Sequence, residues 1–379
     1  MATPLRHNGA AMDTKESMAD DRLDESLFDL FTELGAIDAV SGHEMELARH
    51  LARCLRETGA EVSADGVGNV SAIVRAERPG PTLQIAAHMD EVGYLVKSVE
   101  PGGWLRLDRV GGAVPGVLPA RLVRIAGRMT GVVGVRPGHL MTEQERGQGA
   151  SLRDLYVDLG ARSAAEVAAL GVRVGDQVAA QQTPFRLAGN PRLVGGKALD
   201  DRLGCAILLT LLQNGVRPPA GTLIVTFTVQ EEVGLRGAEA TAARWNPDLA
   251  LAVDTMPAGD TPDVQFHREL AVALGAGPAI QVMSSSAILP PPVRDFLLET
   301  AAAADIPVQL CSFTQGANDS ATLQWATTGR PAGSISIPRR YSHTPAETCD
   351  LGDASGTYHL LRQVIRRMDQ LPDFNFLAE

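Results

Sequence analysis

Histidine and acidic side chains recur in this sequence after short runs of apolar, β-prone residues. The residues that share this position are His88, Asp90, Glu231, Glu232, Asp254 and His343. Asp200 stands instead at the start of a helical pattern that precedes the second of these runs. Ligands of open α/β sheets bind outside the carboxyl ends of the strands. We therefore expect these side chains to meet in one crevice.

The chemistry of this set is that of a metal site. A mixture of imidazoles and carboxylates is typical of Zn²⁺ or a similar divalent ion. The histidines and acids outnumber the protein ligands of a usual catalytic zinc. One shared carboxylate, with a histidine and a further acid for each ion, would serve two metals about 3.5–4 Å apart. Neighbouring side chains in extended chain point to opposite sides, so one glutamate of Glu231-Glu232 can bind metal while the other polarises water.

Each of these residues also has an ordinary explanation when it is taken alone. His88 and Asp90 could form a hydrogen-bonded pair at the end of a loop, and Asp200 could be the N-cap of the next helix. The acidic doublet alone is typical of a solvated loop, and His343 alone of a protein surface. Their recurrence at one end of one sheet favours a shared site.

The elements that must position these residues alternate between helix and strand. A helix is predicted from near Asp21, with Leu23, Leu27, Leu30, Phe31 and Leu34 on one stripe. Ser41 and Glu44 predict a capping box ahead of a second helix. The predicted strands of the sheet are Val70–Val74, Leu83–Ala87, Thr222–Val229, Leu249–Val253 and Ser334–Ile337. The predicted later helices are 202–212, 238–244, one after Pro292, 319–326 and 358–368.

The middle of the chain, from Tyr94 to Leu187, is rich in Gly, Val and Arg and has little helical pattern. Pro101-Gly102-Gly103 predicts a hairpin turn there. The fold class is therefore predicted as α/β, a mainly parallel mixed sheet flanked by helices and interrupted by a β-rich insertion. The predicted division is a polar, flexible tail at 1–20, one discontinuous domain at 21–93 and 188–379, and the insertion at 94–187.

Composition excludes several other classes of protein. With 34 Lys plus Arg against 45 Asp plus Glu, the formal net charge is −11, which argues against nucleic-acid or anionic-membrane binding. Aromatic residues are only 4%, too few for base-stacking platforms. The four scattered cysteines are expected to be reduced and buried, and we expect a cytoplasmic protein with no membrane span.

Five blocks of sequence, in order, resemble the signature blocks of the TET-type aminopeptidases, a family that includes glutamyl, leucyl and deblocking aminopeptidases. The blocks are His88–Gly93, Lys197–Arg202, Val229–Gly234, Ala252–Asp254 and Arg340–Pro345. The resemblance extends from about Asp21 to the C-terminus.

This resemblance implies a role for each matching residue. His88 and Asp254 would hold one divalent metal ion, Glu232 and His343 would hold a second, and Asp200 would bridge the two. Zn²⁺ or Co²⁺ is the expected metal. Glu231 would be the general base, and Asp90 would fix the ring of His88.

The resemblance also implies an architecture and a function. The discontinuous domain would be a zinc-aminopeptidase-like catalytic domain, and the insertion would form dimers that assemble into tetrahedral dodecamers. The implied activity is removal of N-terminal residues from peptides. A deblocking deacylase of N-acylated peptides and a non-catalytic assembly protein remain as alternatives. The preferred N-terminal residue stays open, and Asn318 stands where the family usually has threonine in a loop that would border the substrate pocket.

Overall fold

A computed structural model describes residues 14–143, 149–374 and 377. Its large mixed sheet contains β1 (Glu61–Ala64), β2 (Val70–Arg75), β3 (Thr82–His88), β10 (Phe185–Leu187), β11 (Asn190–Gly196), β12 (Thr222–Thr228), β13 (Leu249–Pro257), β14 (Ala279–Met283), β15 (Gln309–Ser312), β16 (Ala332–Arg340) and β17 (Glu347–Asp350). The strand order is β1-β2-β12-β3-β13-β16-β17-β11-β10, and β14 pairs with β15 and β16. The central strands β12, β3, β13 and β16 are parallel, so their carboxyl ends lie at one edge.

Helices cover both faces of this sheet. They are α1 (Thr14–Gly35), α2 (Met45–Glu57), α3 (Ala164–Ala169), α4 (Leu199–Gln213), α5 (Arg236–Trp245), α6 (Phe266–Glu269), α7 (Pro291–Ala303), α8 (Asp319–Trp325) and α9 (Leu351–Arg366), with α3 in the insertion. The apolar stripe of α1 is confirmed, since Leu27, Phe31 and Leu34 are fully buried. No helix within the described ranges is both long and apolar enough to cross a bilayer.

The insertion is a closed barrel with its own core. Its strands are β4 (Gly93–Val99), β5 (Leu105–Val110), β6 (Leu122–Ile125), β7 (Met129–Gly134), β8 (Tyr156–Asp158) and β9 (Gln177–Ala180). Val96, Leu105, Val123 and Val178 pack inside it, and the predicted turn at Pro101-Gly102-Gly103 joins β4 to β5. The predicted fold class is confirmed. The segment Phe185–Leu187, which we assigned to the insertion, pairs with β11 in the large sheet.

Three local predictions are corrected. The first helix begins at Thr14 rather than near Asp21, and the rest of the predicted tail lies outside the described residues. The capping box is wrong: α2 has no side-chain cap, and the Ser41 hydroxyl donates to Asp90 Oδ2 at 2.6 Å. Glu44 instead accepts the backbone N–H groups of Gly42 and Gln230. All four cysteines are free, but Cys54 is only half-buried.

Buried charges join the barrel to the sheet domain. Arg124 of β6 lies 2.7 Å from Asp38 Oδ2, and Lys197 Nζ lies 3.1 Å from Asp38 Oδ1. The same Lys197 donates to Glu91 at 2.8 Å. Asp38, Glu91 and Lys197 are almost completely buried, so each charge depends on the others to offset its loss of water.

Arg202, at the start of α4, is fully buried and joins the C-terminal end of α1 to the segment after β3. Its guanidinium donates to the carbonyls of Leu34, Ile37 and Met89 at 2.7–2.9 Å and lies 3.4 Å from Glu91. Because the planar guanidinium carries several donors in a fixed geometry, no shorter or uncharged side chain can replace these contacts.

Replacing this group should therefore destabilise the fold. Arg202→Met keeps the length of the side chain but leaves the three carbonyls without their donor and removes one of the two cations beside Glu91. We expect a loss of about 3–5 kcal/mol in the free energy of unfolding, measured by urea denaturation at fixed protein concentration. The control, Arg366→Met on the exposed end of α9, should change it by less than about 0.5 kcal/mol. Equal losses in the two variants would contradict the role of Arg202.

Candidate active site

The site lies at the edge where the parallel strands end. His88 is the last residue of β3, Glu231 and Glu232 follow β12, and His343 follows β16. Asp254 lies within β13, which continues to Pro257, beyond the end predicted at Val253. Asp200 is at the first turn of α4, where its backbone is not helical. The structure thus brings together all the residues predicted for the site.

Asp200 stands between two groups of side chains. Its Oδ1 lies 3.2 Å from His88 Nε2, which is 3.8 Å from Asp254 Oδ1. Its Oδ2 lies 3.4 Å from His343 Nε2, which is 3.5 Å from Glu232 Oε2. Within each group the potential ligand atoms lie within 4.8 Å of one another. Each oxygen of Asp200 therefore faces its own histidine and second carboxylate.

The donor set fits divalent cations. Glu232 Oε1 and His88 Nδ1 are buried, and neither has a hydrogen-bond partner among the described residues. Burial and the charge of Asp200 raise the pKa of Glu232 to about 8, and burial raises the pKa of Asp254. A group of desolvated carboxylates is costly unless cations neutralise it. Oxygen and imidazole donors at these separations are consistent with divalent metal ions.

Two charged residues of the site were not found from the sequence. Arg339 Nη1 lies 2.6 Å from Asp200 Oδ2 and also contacts Glu347. Glu347 accepts the backbone N–H groups of Asp200 and His343, at 3.1 and 2.7 Å. Burial alone would raise the pKa of Asp200, but Arg339 and the two histidines hold it well below its ordinary value. One feature of the sequence could have identified Arg339. It is a charged residue at the end of a buried strand, directly before the Arg340–Pro345 block.

Asp90 is fixed by donors from two loops. It accepts from the Ser41 hydroxyl at 2.6 Å and from the backbone N–H groups of Glu231 and Glu232 at 3.0 and 3.2 Å. Its Oδ1 lies 3.6 Å from His88 Nδ1, longer than an ordinary hydrogen bond. The direct contacts of Asp90 therefore hold the acidic doublet in place beside His88.

The barrel also reaches the site. The loop after β5 places Gly111 against the backbone of Glu232 and Gly112 against the ring of His343. A methyl group at Gly112 would overlap the His343 imidazole, so this close approach requires glycine. The position of one candidate ligand thus depends on the insertion.

A cavity of about 200 Å³ opens beside the candidate ligands. Its outer wall comes from the end of β13 and from the loop between β15 and α8, including Met256, Phe313 and Gln315. Asn318, the residue that departs from the family pattern, also lines it and caps α8 through the backbone N–H of Ser320. The loop that holds Asn318 therefore borders this cavity.

Comparison with known proteins agrees with this arrangement. Residues 68–360 match the family model of the M42 glutamyl aminopeptidases. The chain is 32% identical over 355 residues to the glutamyl aminopeptidase of Lactococcus lactis, covering 90% of this chain and 97% of that protein. It is 30% identical over 335 residues to the lysyl aminopeptidase of Pyrococcus furiosus, covering 87% and 94%.

Solved structures show the same likeness. An aminopeptidase from the archaeon Desulfurococcus kamchatkensis superposes with a TM-score of 0.87 at 31% identity, over 94% of this chain and 99% of that one. The TET1 peptidase of Pyrococcus horikoshii, described as assembling into a tetrahedron or a large octahedral shell, gives 0.79 at 28% identity, over 90% and 99%.

The fold and the matches define a peptidase, a hydrolase of the aminopeptidase class. The chain belongs to the M42 glutamyl aminopeptidase family. The resemblance recognised from the five sequence blocks is therefore confirmed.

The close contact at Gly112 leads to a test. In Gly112→Ala the added methyl group must displace the His343 ring, so we expect metal affinity to fall by about 10–100-fold. The measurement is metal content by plasma mass spectrometry after dialysis against a buffered metal series.

Gly116→Ala, in the same loop, is the matched control because its new Cβ would meet nothing within 4 Å. It should bind metal as the parent does. Unchanged metal affinity in Gly112→Ala would show that the barrel loop does not determine the position of the His343 ring.

Proposed function

We propose that this protein is a two-metal aminopeptidase that removes N-terminal residues from peptides. The observation that carries the proposal is the position of Asp200, whose two oxygens face two separate pairs of candidate ligands. Asp200 would be shared, His88 and Asp254 would complete one ion site, and Glu232 and His343 would complete the other. Zn²⁺ and Co²⁺ both suit these ligands.

Divalent ions bound there would supply an activated water and polarise the scissile carbonyl. Glu231 would take the proton of that water and pass it to the leaving amine. Its carboxylate lies within the group formed with His88 and Glu232, and its backbone is held by Asp90. Burial and the neighbouring charges of Asp254 and Glu232 raise its pKa well above the ordinary value.

The names of the relatives favour an aminopeptidase over the deblocking deacylase. The complete set of candidate ligands, together with Glu231, argues against a non-catalytic assembly protein. Comparing hydrolysis of free and N-acetylated peptides separates the first two functions. Faster hydrolysis of the acetylated peptides would favour the deacylase.

A homo-oligomer built from dimers through the 94–187 insertion, and a tetrahedral dodecamer in particular, are also proposals. The assembly described for the TET1 peptidase supports them. So do Leu122 and Val132, apolar residues that pair across β6 and β7 on the barrel surface and are 46% and 42% exposed. Light scattering measures the oligomeric state, and a fully active monomer would refute the proposed assembly. A cytoplasmic location remains a prediction, with which the free cysteines agree.

The role of Glu231 can be separated from metal binding. Glu231→Gln keeps the size of the side chain but removes the proton acceptor. We expect kcat to fall by about 10²–10⁴-fold while metal content stays at the parent's value. The assay is hydrolysis of an aminoacyl anilide with parallel metal analysis. Near-parental turnover would exclude Glu231 as the base.

The bridging role of Asp200 predicts a different pattern. Asp200→Ala should reduce occupancy of both ions, because each group of ligands loses a shared oxygen. Asp254→Ala is the matched comparison and should reduce only the ion held with His88. Metal titration by calorimetry counts the sites in each variant. Two ions bound as tightly in Asp200→Ala as in the parent would contradict the bridge.

A further inference from the structure

The cavity beside the candidate ligands is small and has a wall of mixed chemistry. It occupies about 200 Å³, below the ~300–1,000 Å³ of typical small-molecule sites, so it suits one side chain rather than a whole ligand. One part of its wall is formed by Asp200, Glu232 and His343, the residues at which the scissile bond would lie. A second part of the wall is formed by residues with no proposed part in the chemistry.

Apolar groups form much of this second part of the wall. Met256 and Pro257 come from the end of β13, and Phe313 and Ala317 come from the loop before α8. Met256 is nearly completely buried and packs with Cys311 and the partly buried Phe313 ring. This wall is therefore anchored in a small apolar cluster of its own.

Two amide side chains of the wall, Asn318 and Gln281, are neutral and hydrogen-bonded within the protein. Asn318 Nδ2 donates to Gln281 Oε1 at 3.2 Å and to Ser334 Oγ at 2.7 Å. Gln281 Nε2 donates to the carbonyl of Phe313 at 3.3 Å. These amides stiffen the wall and offer a substrate no net charge.

The charged residues that line the cavity already have partners. Its carboxylates are the proposed metal ligands and the base Glu231. Arg339, its lining guanidinium among the described residues, is paired with Asp200 and with Glu347. Within the described part of the chain, the cavity thus holds no lining charge left over to pair with a substrate side chain.

We infer that this cavity receives the side chain of the N-terminal residue and selects an uncharged, apolar one, with Met256 and Phe313 as its specificity-determining residues. The inference rests on the proposed function. An acidic or basic side chain would have to leave water without a counter-charge, whereas an aliphatic or aromatic side chain would gain contact with Met256 and Phe313. This preference differs from the glutamyl and lysyl activities named for the relatives.

The test uses the full-length, metal-loaded protein and aminoacyl-methylcoumarin substrates. Gln and Glu form one pair with the same shape and different charge, and Met and Lys form a second pair of similar length. We expect kcat/KM to favour the uncharged member of each pair by about 100-fold or more. Equal or faster hydrolysis of the Glu or Lys substrate would overturn the inference and leave the proposed function intact. Hydrolysis of none of the substrates would overturn both.

Two variants locate the preference in this wall. Phe313→Ala should lower kcat/KM for a Leu substrate by about 10-fold more than for an Ala substrate, since only the longer side chain reaches the ring. Gln315→Lys adds a cation at the exposed rim and should raise the ratio of Glu to Gln hydrolysis by about 10-fold.

Gln370→Lys adds the same charge on an exposed residue outside the cavity and is the control. Its ratio of Glu to Gln hydrolysis should match that of the parent protein. Equal changes in Gln315→Lys and Gln370→Lys, or equal losses for Leu and Ala substrates in Phe313→Ala, would overturn the assignment of this wall.

Discussion

Mutual repulsion among buried carboxylates is the constraint around which the structure is arranged. The parallel strands and the start of α4 bring Glu231, Glu232, Asp254 and Asp200 to one edge, where little water reaches them. Such a group is unfavourable unless positive charge is placed among it. Arg339 supplies part of that charge, and the proposed metal ions would supply the rest. The acids that appear as a net charge of −11 in the composition therefore include a concentrated group with a specific use.

Buried charges next to the site are also paired with charges of opposite sign. Glu91 follows Asp90 directly and pairs with Lys197, which in turn pairs with Asp38 and so connects to Arg124 of the barrel. A second connection runs from the barrel loop at Gly112 to His343. The insertion is therefore linked to the site both through charge and through close packing. A change in the orientation of the insertion would therefore shift the candidate ligand His343.

Much of the site was predictable from the sequence because its parts are local. Each candidate ligand lies near the end of a strand or at the start of a helix, and apolar periodicity alone places those element ends within a few residues. The family resemblance then supplied roles for residues such as Asp200 and Glu231. The prediction failed where a short-range pattern was satisfied by a distant partner. Ser41 and Glu44 have capping-box spacing, but the Ser41 hydroxyl donates to Asp90 and the Glu44 carboxylate accepts the backbone N–H of Gln230.

The sequence by itself determined the fold class, the β-rich insertion and the set of residues that gather at the strand ends. The succession of helices and strands along the chain and their hydrophobic periodicity carry that information. Only the tertiary structure decided how those residues are supported and what surrounds the substrate. Arg339 and Glu347 lie on β16 and β17, and their pairing with Asp200 depends on how those strands pack against α4. Met256 and Phe313 are far apart in the chain and form one wall only after the sheet is assembled. Charge compensation and cavity shape are properties of distances in space, and sequence spacing does not encode them.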